Sequence, residues 1–111
     1  MNRNSSISAR DGAVTRASDN SPFLREALKA HPEIAEAFLR DGALAASKLA
    51  VAAQAGDVEA KLRRQRAGLA LAVALGDLAG ELSLEEATRL LSDFADQAID
   101  VAIAADRKRH V

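Results

Sequence analysis

Apolar residues in this chain recur at steps of three and four, and no run alternates with period two. The first spacing marks one face of an α-helix; the second would have marked a strand. Ser21-Pro22 places a capping serine before a proline preset for the first helical position. Phe23, Leu24, Ala27 and Leu28 form the apolar stripe behind it, and His31-Pro32 ends that short helix. Pro32 opens the next one, with Ile34, Ala35, Phe38 and Leu39 facing inward and Gly42 as its C-cap. A third short helix is expected from about Ala43 to Ala55, almost all alanine apart from Leu44, Leu49 and Val51, and closed by Gly56.

Asp57 is the expected N-cap of a fourth helix, Val58 to Ala79, with Gly80 at its C-cap. Its second half is apolar on nearly every side, through Leu69, Leu71, Val73, Leu75 and Leu78, which calls for more than one neighbour. Ser83-Leu84-Glu85-Glu86 is a capping box, in which Ser83 and Glu86 each satisfy an orphan backbone donor. Beyond it Leu84, Ala87, Leu91, Phe94, Ala98 and Val101 keep helical spacing, joined by Leu90, Ala95, Ile99 and Ile103. The pattern predicts an all-α fold of about five helices. The last two, over 57–80 and 83–109, are long and form an antiparallel hairpin through Gly80–Ser83.

Residues 1–20 are rich in Ser, Asn and Arg, with only Ile7 and Val14 as bulky internal apolar groups. So little burial does not offset the entropy of ordering, and a disordered leader is expected there. The ordered segment is then 21–111, with short helices over 21–56.

Composition narrows the chemistry without naming one. Of 111 residues, 49% are hydrophobic, but 26 are alanine, so 28 bulky side chains must build the core. The absence of cysteine excludes disulfides, thiolate metal sites and a cysteine nucleophile. His31 and His110 are too far apart in sequence to suggest a zinc pair. A net charge of −1 gives no bulk electrostatic case for nucleic acid or an anionic membrane. The longest nearly apolar stretch, Ala67 to Gly76, has ten residues against the about 20 that span a bilayer. No apolar signal segment follows the N-terminal arginines, so a cytoplasmic protein is expected.

Asp93, Asp96 and Asp100 share one helix face, but ligands from a single face seldom enclose an ion, and a solvated acidic face is the reading adopted. Lys61, Arg63, Arg64 and Arg66 form the densest basic run and are the candidate interaction residues. On a helix they point in several directions, and no aromatic platform accompanies them for stacking on bases, which disfavours nucleic acid as the partner. Arg107-Lys108-Arg109 suits the dipole of a last helical turn. Gly76-x-x-x-Gly80 fits a close helix crossing plus a C-cap, and His31 reads as a loop residue. No nucleophile, base and oxyanion site assemble from these residues.

One longer pattern goes beyond spacing. It comprises Leu62-Arg63-Arg64-Gln65-Arg66, Ala74-Leu75-Gly76-Asp77-Leu78-Ala79-Gly80, Leu84-Glu85-Glu86-Ala87-Thr88 and Leu91-Ser92-Asp93-Phe94-Ala95-Asp96, in this order. It resembles the glutamate–ammonia-ligase (glutamine synthetase) adenylyltransferase/adenylyl-removing family. Ser21-Pro22-Phe23-Leu24 and His31-Pro32-Glu33 are similar to that family's opening helices, so the likeness covers about residues 21–106. Gln65 departs from it, standing where the family usually has an aromatic. The resemblance implies a role in nitrogen metabolism through nucleotidyl transfer, with Mg²⁺ and ATP held at a Gly-Ser turn and an Asp-x-Asp pair. These 111 residues contain neither motif, so no cofactor site is assigned to this chain. The resemblance therefore implies an N-terminal helical fragment of the deadenylylating half, inactive alone, acting as scaffold or docking segment. Its implied partners are the rest of that enzyme and glutamine synthetase. A stand-alone helical binding module, and self-association hiding the apolar face of 67–79, are the other expectations.

Overall fold

The computed structural model describes residues 3–110, with side chains from 9 to 108. The expectations for Ile7, Arg109 and His110 concern side chains outside that range. Local signals set most helix boundaries. Ser21 Oγ accepts the Leu24 N–H at 3.2 Å and starts α2, Pro22–Ala30. The His31 N–H closes α2 on the Ala27 carbonyl at 2.8 Å, and Pro32 begins α3, Pro32–Asp41. Gly42, at φ 101°, ends α3 and leads directly into α4, Ala43–Val51. Asp57 Oδ1 accepts the Ala60 N–H at 2.8 Å to open α5, Val58–Ala79. Gly80, at φ 76°, then lets the Glu81 and Gly80 amides return to the Gly76 and Asp77 carbonyls. The Ser83–Glu86 capping box opens α6, Leu84–His110, through reciprocal bonds of 2.9 and 3.0 Å. All described elements are α-helices, as the pattern predicts.

The capping box also fixes a pH response. Bonds from the Ser83 backbone and hydroxyl, helped by the Arg89 charge, hold the Glu86 carboxyl below the ordinary glutamate range. A depressed folded-state pKa contributes stability above the unfolded value, lost as pH falls through the folded one. An NMR titration is expected to place the Glu86 midpoint below that of an unfolded peptide, and Ser83→Ala to move it back up. An unchanged midpoint in Ser83→Ala would show that the hydroxyl contributes nothing and that the Ser83 backbone N–H, which alanine keeps, holds the shift by itself.

Several expectations are corrected, two of them bearing on the whole fold. The N-terminal segment, expected to be disordered, forms a helix, α1, Arg3–Asn20, making six helices among the described residues. Bulky groups are scarce in this segment, but α1 docks through small ones. Ala13 and Ala17, one turn apart, are 0% and 1% exposed against the core. Arg10 Nε meets Glu81 Oε2 at 2.6 Å, and Arg16 Nη2 donates to the Leu78 carbonyl at 2.6 Å, at the electronegative end of α5. Glu81 also does what Gly42 cannot: its Oε1 accepts the Ala43 N–H at 3.0 Å and caps α4 from 38 residues away.

The second correction concerns residues 67–79, expected to present an uncovered apolar face. α5 packs against α1, α2, α3, α4 and α6, and Leu69, Leu71, Ala72, Val73 and Leu75 are buried. The helix taken for a leader supplies part of that cover. Phe38, Ile34, Leu69, Leu71 and Leu75 are the largest fully buried side chains, with Ala37, Ala43, Ala46 and Ala50 between the helices. The third short helix also stops at Val51 rather than Ala55.

Most of the exposed large apolar side chains lie on α4 and α6, with Phe23 on α2 and Leu78 near the end of α5 besides. α6 turns Leu90, Phe94, Ala98 and Val101 toward the bundle, while Leu84 is 83% and Leu91 43% exposed, reversing the expectation for those two leucines. Either leucine of the Leu90-Leu91 pair satisfies helical spacing. The positions of α4 and α5 select Leu90.

Candidate functional site: a groove between α4 and α6

Leu44, Lys48 and Val51 share one face of α4, at i, i+4 and i+7. Across from them α6 brings Leu90, Asp93, Phe94 and Gln97, over a floor formed by Leu69. The groove encloses about 170 Å³. Leu44 is 55% exposed and Val51 36%, so its α4 lip is open apolar surface bordered by one cation, Lys48, and one anion, Asp93. Such a rim suits docking of a helix or loop with an apolar ridge.

The candidate basic residues do not converge here, in keeping with their spacing. Arg64 turns to α3 and meets Glu33 at 3.1 Å, an exposed pair of small energetic consequence. Lys61 is half-buried in an adjoining hollow that shares Val51 and Gln97 with the groove and adds Gln54 and Gln65. Arg63 and Arg66 are exposed on another flank of α5, beside Leu62, Phe94 and Ala98. Asp93, Asp96 and Asp100 are exposed along α6, and no group of three or more His, Asp or Glu among the described residues is placed to hold a metal ion. His31, read as a loop residue, is buried at the α2–α3 junction with its Nδ1 unpaired, 3.9 Å from Glu33 Oε2.

Sequence reasoning missed the role of Gln65. Its buried Nε2 donates to the Val51 and Ala53 carbonyls at 2.9 and 3.0 Å, holding the C-terminal end of α4 beside the groove. The signal was an uncharged amide among cations, in register with Leu62, Leu69 and Ala72 on the inward face of α5. An aromatic at that position lacks two donors for those carbonyls. Gln65→Leu is expected to cost about 1–2 kcal/mol, measured by urea unfolding, and to speed amide exchange at the end of α4. Unchanged exchange there would contradict the cap.

These features define a class: an all-α helical bundle with an open apolar groove. No helix among the described residues is long and apolar enough to cross a membrane. The chain is 37% identical over 97 residues to the bifunctional glutamine synthetase adenylyltransferase/adenylyl-removing enzyme of Rhizobium meliloti (strain 1021). It is 33% identical over 114 aligned residues to the enzyme of the same name from Xanthobacter autotrophicus (strain ATCC BAA-1158 / Py2). The matches cover 75% and 86% of this chain but only 10% and 12% of those enzymes. No family model and no solved structure matches. The resemblance to the glutamine synthetase adenylyltransferase/adenylyl-removing enzymes is thereby shown over most of the chain, which spans about a tenth of their length.

Proposed function

We propose that this chain is a helical scaffold segment of a glutamine synthetase adenylyltransferase/adenylyl-removing enzyme. It seats a nucleotidyltransferase domain and helps that domain dock glutamine synthetase. The observation that carries this reading is the α4–α6 groove, whose exposed Leu44 and Val51 lie over Leu69 and Phe94. An apolar lip open over a lined groove is the expected mark of a contact made with something else. The likeness to about a tenth of two much longer enzymes supports the same reading.

In this role the chain contributes position rather than chemistry. Lys48 and Asp93 set the register of the docked element by charge, Leu44 and Val51 supply buried area, and Gln65 fixes the lip by capping α4. Arg63, Arg64 and Arg66 offer cations to carboxylates of neighbouring domains. Mg²⁺ and ATP would act at the nucleotidyltransferase domain, through motifs these 111 residues do not contain. The purified chain, given glutamine synthetase, Mg²⁺ and ATP, is expected to leave the synthetase unlabelled. Adenylyl transfer or removal by the chain alone would overturn the reading.

A further inference from the structure

α1 is held to the bundle by few apolar contacts. Among its described side chains only Ala13 and Ala17 are buried, with Val14 half-buried beside them. The rest of its hold is polar, through Arg10 on Glu81 and Arg16 on the Leu78 carbonyl. Ser21, a single extended residue, joins α1 to α2, and Arg25 Nε spans that joint to the Ser18 carbonyl at 2.7 Å. An element with so little buried apolar area opens locally at low free-energy cost.

Arg10 does more than fasten α1. Its Nε bonds Glu81 Oε2 at 2.6 Å, while Oε1 of the same carboxylate accepts the Ala43 N–H at 3.0 Å. A Cβ on Gly42 would lie 2.8 Å from both Arg10 Nη2 and Glu81 Oε1, so the pair sits directly over the α3–α4 joint. Gly42 is the N-cap of α4 and has no side chain to offer its amides. α4 has nine residues, and helices shorter than about 12 are marginal on their own. Gln65 holds its last turn and Glu81 its first. Leu44, the more exposed of the two apolar residues on the groove's α4 lip, lies in that first turn.

We propose that α1 is a detachable strap that sets the groove. Docked, its Arg10 holds the Glu81 carboxylate on the first turn of α4. Released, it frees that carboxylate and loosens the Leu44 end of the lip. Arg10 is thus a positioning residue, acting on α4 through Glu81. Raised salt weakens the pair and shifts the population toward release. The strap bears on docking through the scaffold reading above and rests on it there, whereas the coupling of α1 to α4 is a property of the chain alone.

Amide exchange of the full chain, followed residue by residue by NMR, tests the coupling. Ala13→Glu puts a charge on the buried docking face and is expected to release α1 with Arg10 and Glu81 both intact. Exchange at Ala43 and Leu44 is expected to quicken with that of α1, by about fivefold or more, while Leu69 and Phe94 keep the parent's rates. Arg10→Gln, which leaves the docking face unchanged, is expected to quicken Ala43 as well. Arg10→Glu with Glu81→Arg separates the two roles, because an arginine accepts no hydrogen bond. The swapped pair is expected to restore protection of α1 but not of Ala43. A released α1 with an unchanged Ala43 amide overturns the strap, as does a swapped chain that protects Ala43 like the parent. Exchange in Ala13→Glu that leaves α1 protected, or that quickens at Leu69 and Phe94 too, shows α1 to be fixed in the bundle and overturns it equally. None of these outcomes touches the labelling of glutamine synthetase, so the strap and the scaffold role fail separately.

Discussion

Replacing Gly76 with leucine is expected to destabilise the chain by on the order of 3 kcal/mol and to lower its melting temperature by roughly 10 °C. Three elements meet at this residue: the last turn of α5, the first turn of α4, and the link to α6. A Cβ built on Gly76 would lie 2.6 Å from Ala43 Cβ and 2.7 Å from Leu82 Cδ1, distances that real Cβ atoms essentially never show. Alanine would recover about 1 kcal/mol of helix propensity and still collide. Leucine adds three more heavy atoms, and α4 must move. Gly68→Ala is the matched control. Its Cβ would sit 3.2 Å from Ala50 Cβ and, in ordinary van der Waals contact, 3.5 Å from Ile34 Cγ1, so its effect is expected to be far smaller. A Gly76→Leu variant melting with the parent would contradict the crossing of α4 and α5.

Phe38→Ala is expected to cost about 3–5 kcal/mol. The ring is 0% exposed, and it is the largest fully buried side chain in a core made mainly of leucine, isoleucine and alanine, with Val73 and Phe94. Alanine neighbours cannot collapse into the space a phenyl ring leaves, so the cavity cost adds to the transfer cost. Against a total of about 5–15 kcal/mol for a domain, this one change removes a large share. Urea unfolding with an unchanged slope is the measurement. Phe23→Ala, at a residue 66% exposed, is expected to stay within about 0.5 kcal/mol. Similar midpoints for the two variants would contradict the burial assignment.

What the sequence disclosed was mostly local. Ser21, Gly42, Asp57, Gly80 and the Ser83–Glu86 pair act within a turn of their own position, and each cap is found where expected. α1 escaped because its stabilising partners are remote: Arg10 reaches Glu81 across 71 positions and Arg16 reaches Leu78 across 62. Its buried residues are alanines, which no count of bulky groups registers. The face of α6 that turns outward was ambiguous for a related reason. Leu90 and Leu91 both continue an apolar stripe, and only the bundle chooses between them. Residues that carry the family resemblance also serve here as structure: Gly76 permits a crossing, Gly80 turns the chain, and Glu86 caps a helix. The groove was not legible at all. Its lip and floor come from α4, α5 and α6, and Leu44 looked like any other leucine on an alanine-rich helix.

The scaffold role is tested most directly by transplanting the segment. In the Rhizobium meliloti enzyme, the 97 matched residues are exchanged for those of this chain, with and without Leu44→Asp and Val51→Asp. Both substitutions fall on exposed or half-exposed positions, so the groove variant is expected to fold and melt like its parent. The account predicts that the unmodified chimera keeps adenylyl transfer and removal within about threefold of the parent enzyme, while the groove variant loses about tenfold or more. A groove variant as active as the unmodified chimera would contradict it.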